Sequence, residues 1–155
     1  MAVALALLVF GVSANFSRGW RARKWFGRGV DALNAGRRDD ARKAFERTLE
    51  LEPLWAPARR VLARIYAEEG RHAEAEQHYR LACEFEPRNA EPLIDLAWFL
   101  ALFKGPQGEQ QAADVLRNAI ALAPRLLDTH REAPELAALR HLASLQPIFF
   151  PQSPG

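Results

Sequence analysis

The chain has 155 residues, of which 49% are hydrophobic and 26% charged, and a formal net charge of +2. That length holds one domain plus a terminal segment. Its single cysteine, Cys83, excludes an internal disulfide and a cysteine metal cluster, and the lack of a cysteine near the N-terminus argues against a lipid-modified bacterial lipoprotein.

The charge is unevenly spread. Residues 2–16 are almost wholly apolar and carry no charge. Arg18, Arg21, Arg23, Lys24 and Arg28 follow, with Trp20 and Trp25 interleaved and no acidic residue before Asp31. Three readings are open. One is a membrane anchor: the run is shorter than the roughly 20 residues that span a bilayer, so the bilayer would thin or flanking residues would snorkel. Arg18, Trp20, Arg21, Arg23, Lys24 and Trp25 would then form the interfacial belt, and the positive-inside rule puts the rest of the chain in the cytoplasm. Anionic headgroups are the expected lipid partner of such a segment. The second reading is export, with cleavage after Ala14 in Val12-Ser13-Ala14 and a periplasmic product. No lysine or arginine precedes the apolar run, and the basic stretch after it opposes export. The third is a helix packed on the rest of the protein or embedded in a larger membrane complex. No basic stripe continues further along the chain, so nucleic acid is not an expected partner.

Beyond residue 20 the sequence repeats. Pro53, Pro87 and Pro124 close three matching blocks, spaced by 34 and then 37 positions. The first block carries Trp25, Gly29, Ala32, Ala41, Phe45 and Pro53. The second carries Leu62, Ala63, Tyr66, Ala75, Tyr79, Ala82 and Pro87. The third carries Leu93, Leu96, Ala97, Leu100, Ala112, Leu116, Ala119 and Pro124. Gly36 and Gly70 fall where a helix must stop, because glycine takes the left-handed conformation readily. Asp39 is placed to cap the next helix. The prolines lack an N–H and end each block. In the third block a longer turn, Lys104-Gly105-Pro106-Gln107-Gly108, is expected to absorb the three extra residues.

These positions resemble the tetratricopeptide repeat, whose pattern is W-x2-L-G-x2-Y, then A-x3-F, then P. The resemblance covers about residues 22–124. It implies an all-α fold: a right-handed solenoid of antiparallel helix pairs, here preceded by an N-terminal hydrophobic helix. The expected organisation is a segment 1–20 and three repeats at about 22–55, 56–89 and 90–124. Capping helices 125–146 and a proline-rich tail 147–155 follow. Gly29, Ala63 and Ala97 would sit where the helices of a pair approach, as would Ala41, Ala75 and Ala112, with Phe45, Tyr79 and Leu116 filling the space beside them. Arg28 and Ala32 depart from the pattern, where leucine and tyrosine are expected. Pro134 and the spacing of Leu136, Leu139 and Leu142 suit a short amphipathic cap, of a kind common in bacterial proteins with this repeat. The apolar tail Pro147-Ile148-Phe149-Phe150-Pro151 is expected to pack on the solenoid, with docking on a partner as the alternative.

Residues that would carry chemistry are sparse. His72, His78, His130 and His141 lack zinc-motif spacing. No phosphate loop or nucleophile elbow is present. Glu68, Glu69, Glu74 and Glu76 read as a solvated face, and Cys83 as a small core hydrophobe. No cofactor, metal or catalytic residue is expected, and the chain does not read as an enzyme.

In the family the first helix of each repeat lines a concave groove. Carried over, that gives Arg23, Phe26, Val30 and Leu33, then Arg60, Arg64 and Glu68, then Glu91, Ile94, Asp95, Trp98 and Leu102. A basic middle with apolar flanks is implied. Phe26 and Val30 stand where some members hold lysine and asparagine to grip a terminal carboxylate, so that clamp is not supported. The implied function is a protein–protein interaction module with a peptide or helix in its groove. It would serve as an assembly factor or accessory subunit of a membrane complex. An exported adaptor and a purely structural subunit are the alternatives.

Overall fold

The computed structural model describes residues 2–124, with side chains from Ser17 onward. The expected capping helices and tail, with His130 and His141, lie outside the described residues. Six helices follow one another: α1 (Ala2–Asn34), α2 (Arg38–Leu51), α3 (Ala56–Glu68), α4 (His72–Phe85), α5 (Glu91–Phe103) and α6 (Gly105–Leu122). No strand occurs among the described residues.

Helices pack most closely as α1 with α2, α3 with α4, and α5 with α6. The lesser interfaces α2–α3 and α4–α5 stack one pair on the next. This is a nearest-neighbour solenoid, in which each pair leaves an apolar face for the following one to bury.

The turns within the first two pairs follow from their glycines. Gly36 (φ +71°) and Gly70 (φ +77°) adopt the left-handed conformation. Around the first, Arg37 N–H donates to Ala32 O and Gly36 N–H to Leu33 O, both at 2.9 Å. Around the second, Arg71 N–H donates to Tyr66 O at 2.8 Å and Gly70 N–H to Ala67 O at 3.1 Å. Both are Schellman closures, which satisfy carbonyls a helix end would otherwise leave without partners. Pro57 and Pro92 lie in the first turns of α3 and α5, where a missing N–H breaks no helical bond.

The core is built from the repeating small and bulky positions. Ala41, Ala63, Ala75, Ala97 and Ala112 are fully buried, as are Phe45, Tyr79 and Leu116. At Gly29 the first pair closes so tightly that a Cβ would lie 2.7 Å from Phe45 Cζ. Thr48 is also fully buried and donates its hydroxyl to Ala44 O at 2.9 Å, the usual way a helix interior absorbs a hydroxyl. Among the side chains of α1 described, from Ser17 onward, the first buried core position is Ala22. Among the described residues no helix is long and apolar enough to cross a membrane.

Four expectations are corrected. The three extra residues of the third block do not lengthen a turn. They extend α6, which begins at Gly105 and has 18 residues against 14 in α2 and α4. The backbone of Gly108 closes directly on the Leu100 carbonyl, which leaves no space for a side chain there. Asp39 caps nothing: α2 starts at Arg38, and Asp39 lies inside its first turn with Asp40. There the pair faces the positive end of the helix dipole. Cys83 is half-buried at the core's edge, where burial pushes its thiol up to about 11. The glutamates are not simply solvated. Glu68 pairs with Arg38 at 3.1 Å, Glu69 with Arg42 at 3.4 Å, Glu74 with Arg71 at 2.9 Å and Glu76 with Lys104 at 2.7 Å.

Candidate partner-binding groove

A cavity of about 310 Å³ opens on the α1, α3 and α5 side, lined by Phe26, Leu33, Pro57, Arg60, Val61, Arg64 and Asp95. Helical spacing puts them there. Phe26 and Leu33 are two turns apart in α1, and Pro57, Val61 and Arg64 follow at three- and four-residue steps in α3. Phe26 is held on two sides. It stacks on Trp55 (5.0 Å between centroids, 19°) and meets Phe45 edge-on (5.4 Å, 68°).

The polar part of the groove is an ion-pair network between adjacent repeats. Arg60 Nε donates to Asp95 Oδ2 at 2.5 Å and its Nη2 to Glu91 Oε2 at 3.1 Å. Arg64 Nη2 lies 3.7 Å from Asp95 Oδ1. The Asp95 side chain is only 6% exposed and that of Arg60 22%. Burial alone would lower the Arg60 pKa, but the Asp95 hydrogen bond and the charges of Asp95 and Glu91 outweigh it and hold it above its ordinary value. A buried carboxylate is tolerated only when paired and hydrogen-bonded, and here two arginines face it.

Beyond the network the surface is aromatic. The Arg64 guanidinium lies over the Trp98 ring, 5.8 Å from its centroid. Trp98 also meets Phe103 edge-on at 5.7 Å. Leu102 and Phe103 are 45% and 37% exposed, so the apolar surface continues to the end of α5.

The expected groove residues divide by this geometry. Phe26, Val30, Arg64, Trp98 and Leu102 keep surface open to solvent. Ile94 and Asp95 are buried, beneath the surface rather than on it. Arg60 is mostly covered and is committed to Asp95 and Glu91, so the middle of the groove is not the basic patch that its sequence implies. Glu68 is exposed and bonded away to Arg38. The cavity adds Pro57 and Val61, and it rests on Trp55 through Phe26; the three- and four-residue spacing from Arg60 and Arg64 is the signal that could have found the first two.

The expected membrane-side residues lie on α1. Arg18, Arg21, Arg23 and Lys24 are exposed, Trp20 is 59% exposed and Trp25 half-buried. Lys24 lies over Trp20, and Arg28 over Trp25 at 4.6 Å. Elsewhere His78 packs edge-on against Tyr66 at 5.4 Å. Among the described residues no three His, Cys, Asp or Glu side chains gather as metal ligands would.

Comparison with known proteins agrees with the architecture. Residues 26–90 match the tetratricopeptide repeat family model. The structure resembles the MamA protein, with a TM-score of 0.57 and 17% identity, over 69% of this chain and 57% of that one. It also resembles the tetratricopeptide domain of Arabidopsis OM64, with a TM-score of 0.64 and 16% identity, over 81% of this chain and 99% of that one. The TPR2B domain of yeast Sti1, solved as a complex with pHsp70, gives 0.64 and 16% over 79% and 98%. No curated protein matches by sequence. The repeated core positions, the paired helices and the family match together identify residues 26–90 as tetratricopeptide repeats, within a solenoid of the same architecture.

Proposed function

We propose that this chain is a membrane-anchored protein–protein interaction module that holds a partner at the membrane, as an assembly factor or accessory subunit of a membrane complex. The observation that carries the interaction reading is the groove itself. Phe26, Val61, Trp98 and Leu102 offer partly exposed apolar surface on rigid helices, with Arg64 stacked on Trp98 at its centre. Aromatic and arginine side chains in such settings dominate binding energy, and a preformed groove takes a helix or an extended peptide without reorganising. The structural likeness to a Sti1 domain in complex with pHsp70 supports a protein partner. The chain has no catalytic role in this reading.

The anchor rests on the uncharged run 2–16 and on the arginines and tryptophans that follow it. The same asymmetry supports a cytoplasmic side for the repeats, by the positive-inside rule. The test is native mass spectrometry of the full chain gently extracted from its own membranes, with Trp98→Ala alongside. A stoichiometric partner on the intact chain, lost in the variant while helicity is unchanged, is the expected result. A soluble monomer lacking its first fourteen or so residues overturns the anchor. Equal partner occupancy in both proteins overturns the groove.

A further inference from the structure

Two large hydrophobic side chains stand out from the solenoid. Leu54, in the turn between α2 and α3, is 67% exposed and Trp20 is 59% exposed; among the described residues these are the two most exposed large hydrophobics. They belong to the same end of the molecule. Leu54 and Trp55 line one cavity with Gly19, Arg23 and Glu52. Arg18 Nη2 donates to Leu51 O at 3.3 Å, and a Cβ at Gly19 would meet Glu52 Oε1 at 3.6 Å. The α2–α3 turn is therefore level with residues 18–23 of α1.

We infer that this turn is a second membrane contact: Leu54 and Trp20 dip into the interfacial layer of an anionic phospholipid surface, and the flanking basic residues meet its phosphates. The inference rests on the anchor reading. If the apolar run ends at Phe16, a helical rise of about 1.5 Å per residue puts Gly19 only about 4.5 Å beyond it. The interfacial layer on each side of the hydrocarbon core is about 5–7 Å deep. Leu54, held beside Gly19, falls in that layer by geometry alone. The charge is complementary: Arg18, Arg21, Arg23 and Lys24 are all exposed, and Glu52 is the one acidic side chain lining the cavity. Alternation of helix direction also brings the α4–α5 turn, with exposed Arg88, to this edge. The α5–α6 junction, with exposed Gln107, lies at the opposite one. The solenoid then sits with its first-repeat edge on the bilayer, instead of swinging freely on its anchor.

The test uses the full chain reconstituted in vesicles. Cys83→Ala removes the native thiol, and Leu54→Cys or Gln107→Cys carries an environment-sensitive nitrobenzoxadiazole label. Flotation with the vesicles reports the anchor separately. The expected result is a blue-shifted Leu54 label, quenched by interfacial spin-labelled lipid in phosphatidylglycerol vesicles, with a water-like Gln107 label. A water-like Leu54 label on a protein that floats overturns the contact while leaving the anchor intact. Equal shielding in pure phosphatidylcholine overturns the anionic assignment. Shielding of Leu54 in detergent by a co-purified protein, and not in vesicles, assigns the turn to a protein partner and overturns the inference. Failure to float overturns anchor and contact together.

Discussion

Asp95 is the place to break the solenoid without touching its repeat positions. Leucine there removes the carboxylate that Arg60 grips at 2.5 Å and Arg64 approaches at 3.7 Å, and it leaves two guanidiniums facing each other. Removing one partner of a buried pair costs about 3–5 kcal/mol because the other charge stays desolvated. Arg60 keeps some water, at 22% exposure, and keeps Glu91 at 3.1 Å, which brings the expected loss to roughly 2–3 kcal/mol. Arg60→Met should lose a similar amount, since it strands Asp95. The double variant Asp95→Leu with Arg60→Met should return to within about 1 kcal/mol of the parent, because apolar replacement of a whole buried pair is close to neutral. Urea unfolding followed by far-ultraviolet circular dichroism reads all four proteins, and the cycle isolates the coupling. Thermal midpoints should drop by roughly 6–14 °C in the single variants, for a domain of this size. If both singles stay within about 0.5 kcal/mol of the parent, the usual range for surface substitutions, the network does not join the second and third repeats. The same reasoning predicts that Arg60→Glu lowers stability, so it is not a clean probe of the groove.

Four further outcomes follow from other sites. Gly29→Ala places a methyl 2.7–3.0 Å from three atoms of the buried Phe45 ring; overpacking outweighs a helix-propensity gain of about 1 kcal/mol, and a rise in melting temperature would falsify that packing. Trp98→Ala should weaken partner binding by at least about 30-fold, the scale of a hot-spot loss near 2 kcal/mol, with an unchanged circular dichroism spectrum. Burial, then the nearby Arg59, pushes His78 from its usual 6.5 down to about 4. The unfolded chain therefore binds the extra proton first, so stability is full above about pH 6.5 and falls as pH drops toward 4; His78→Phe should flatten that slope, and an identical slope assigns it to other groups. Cys83, raised to about 11 by burial, should react slowly with a thiol reagent at pH 8 in the folded protein and faster by orders of magnitude in urea.

The fold was legible because its rules are local. Gly36 and Gly70 end helices wherever a left-handed residue is needed, and Ala63, Ala75 and Phe45 recur at positions that close packing dictates. Asp39 misled because its cap role depends on one residue of register: with α2 beginning at Arg38, the same carboxylate moves from cap to first turn. The third block misled because extra length can enter a helix as well as a turn. Gly108 decided it, by letting the start of α6 close on the Leu100 carbonyl.

The groove was legible only in outline, and the reason is electrostatic. Periodicity put Arg60 and Arg64 on one face of α3, and a face with two arginines reads as basic. Their partners lie on the next repeat, and no window within α3 contains them. Yet a signal was present. Arg60 and Asp95 stand 35 positions apart, one repeat plus one residue, so opposite charges occupy neighbouring positions on successive first helices. Once Asp95 and Glu91 answer Arg60 and Arg64, these four contribute no net charge to the groove. Attraction of an acidic partner then has little to act on. What distinguishes the surface is shape and apolar area, from Phe26 through Val61 to Trp98 and Leu102, with Arg64 held against an aromatic face. A partner selected by that surface brings an apolar or aromatic stripe, and its affinity should change little with salt, because few exposed charges would be screened.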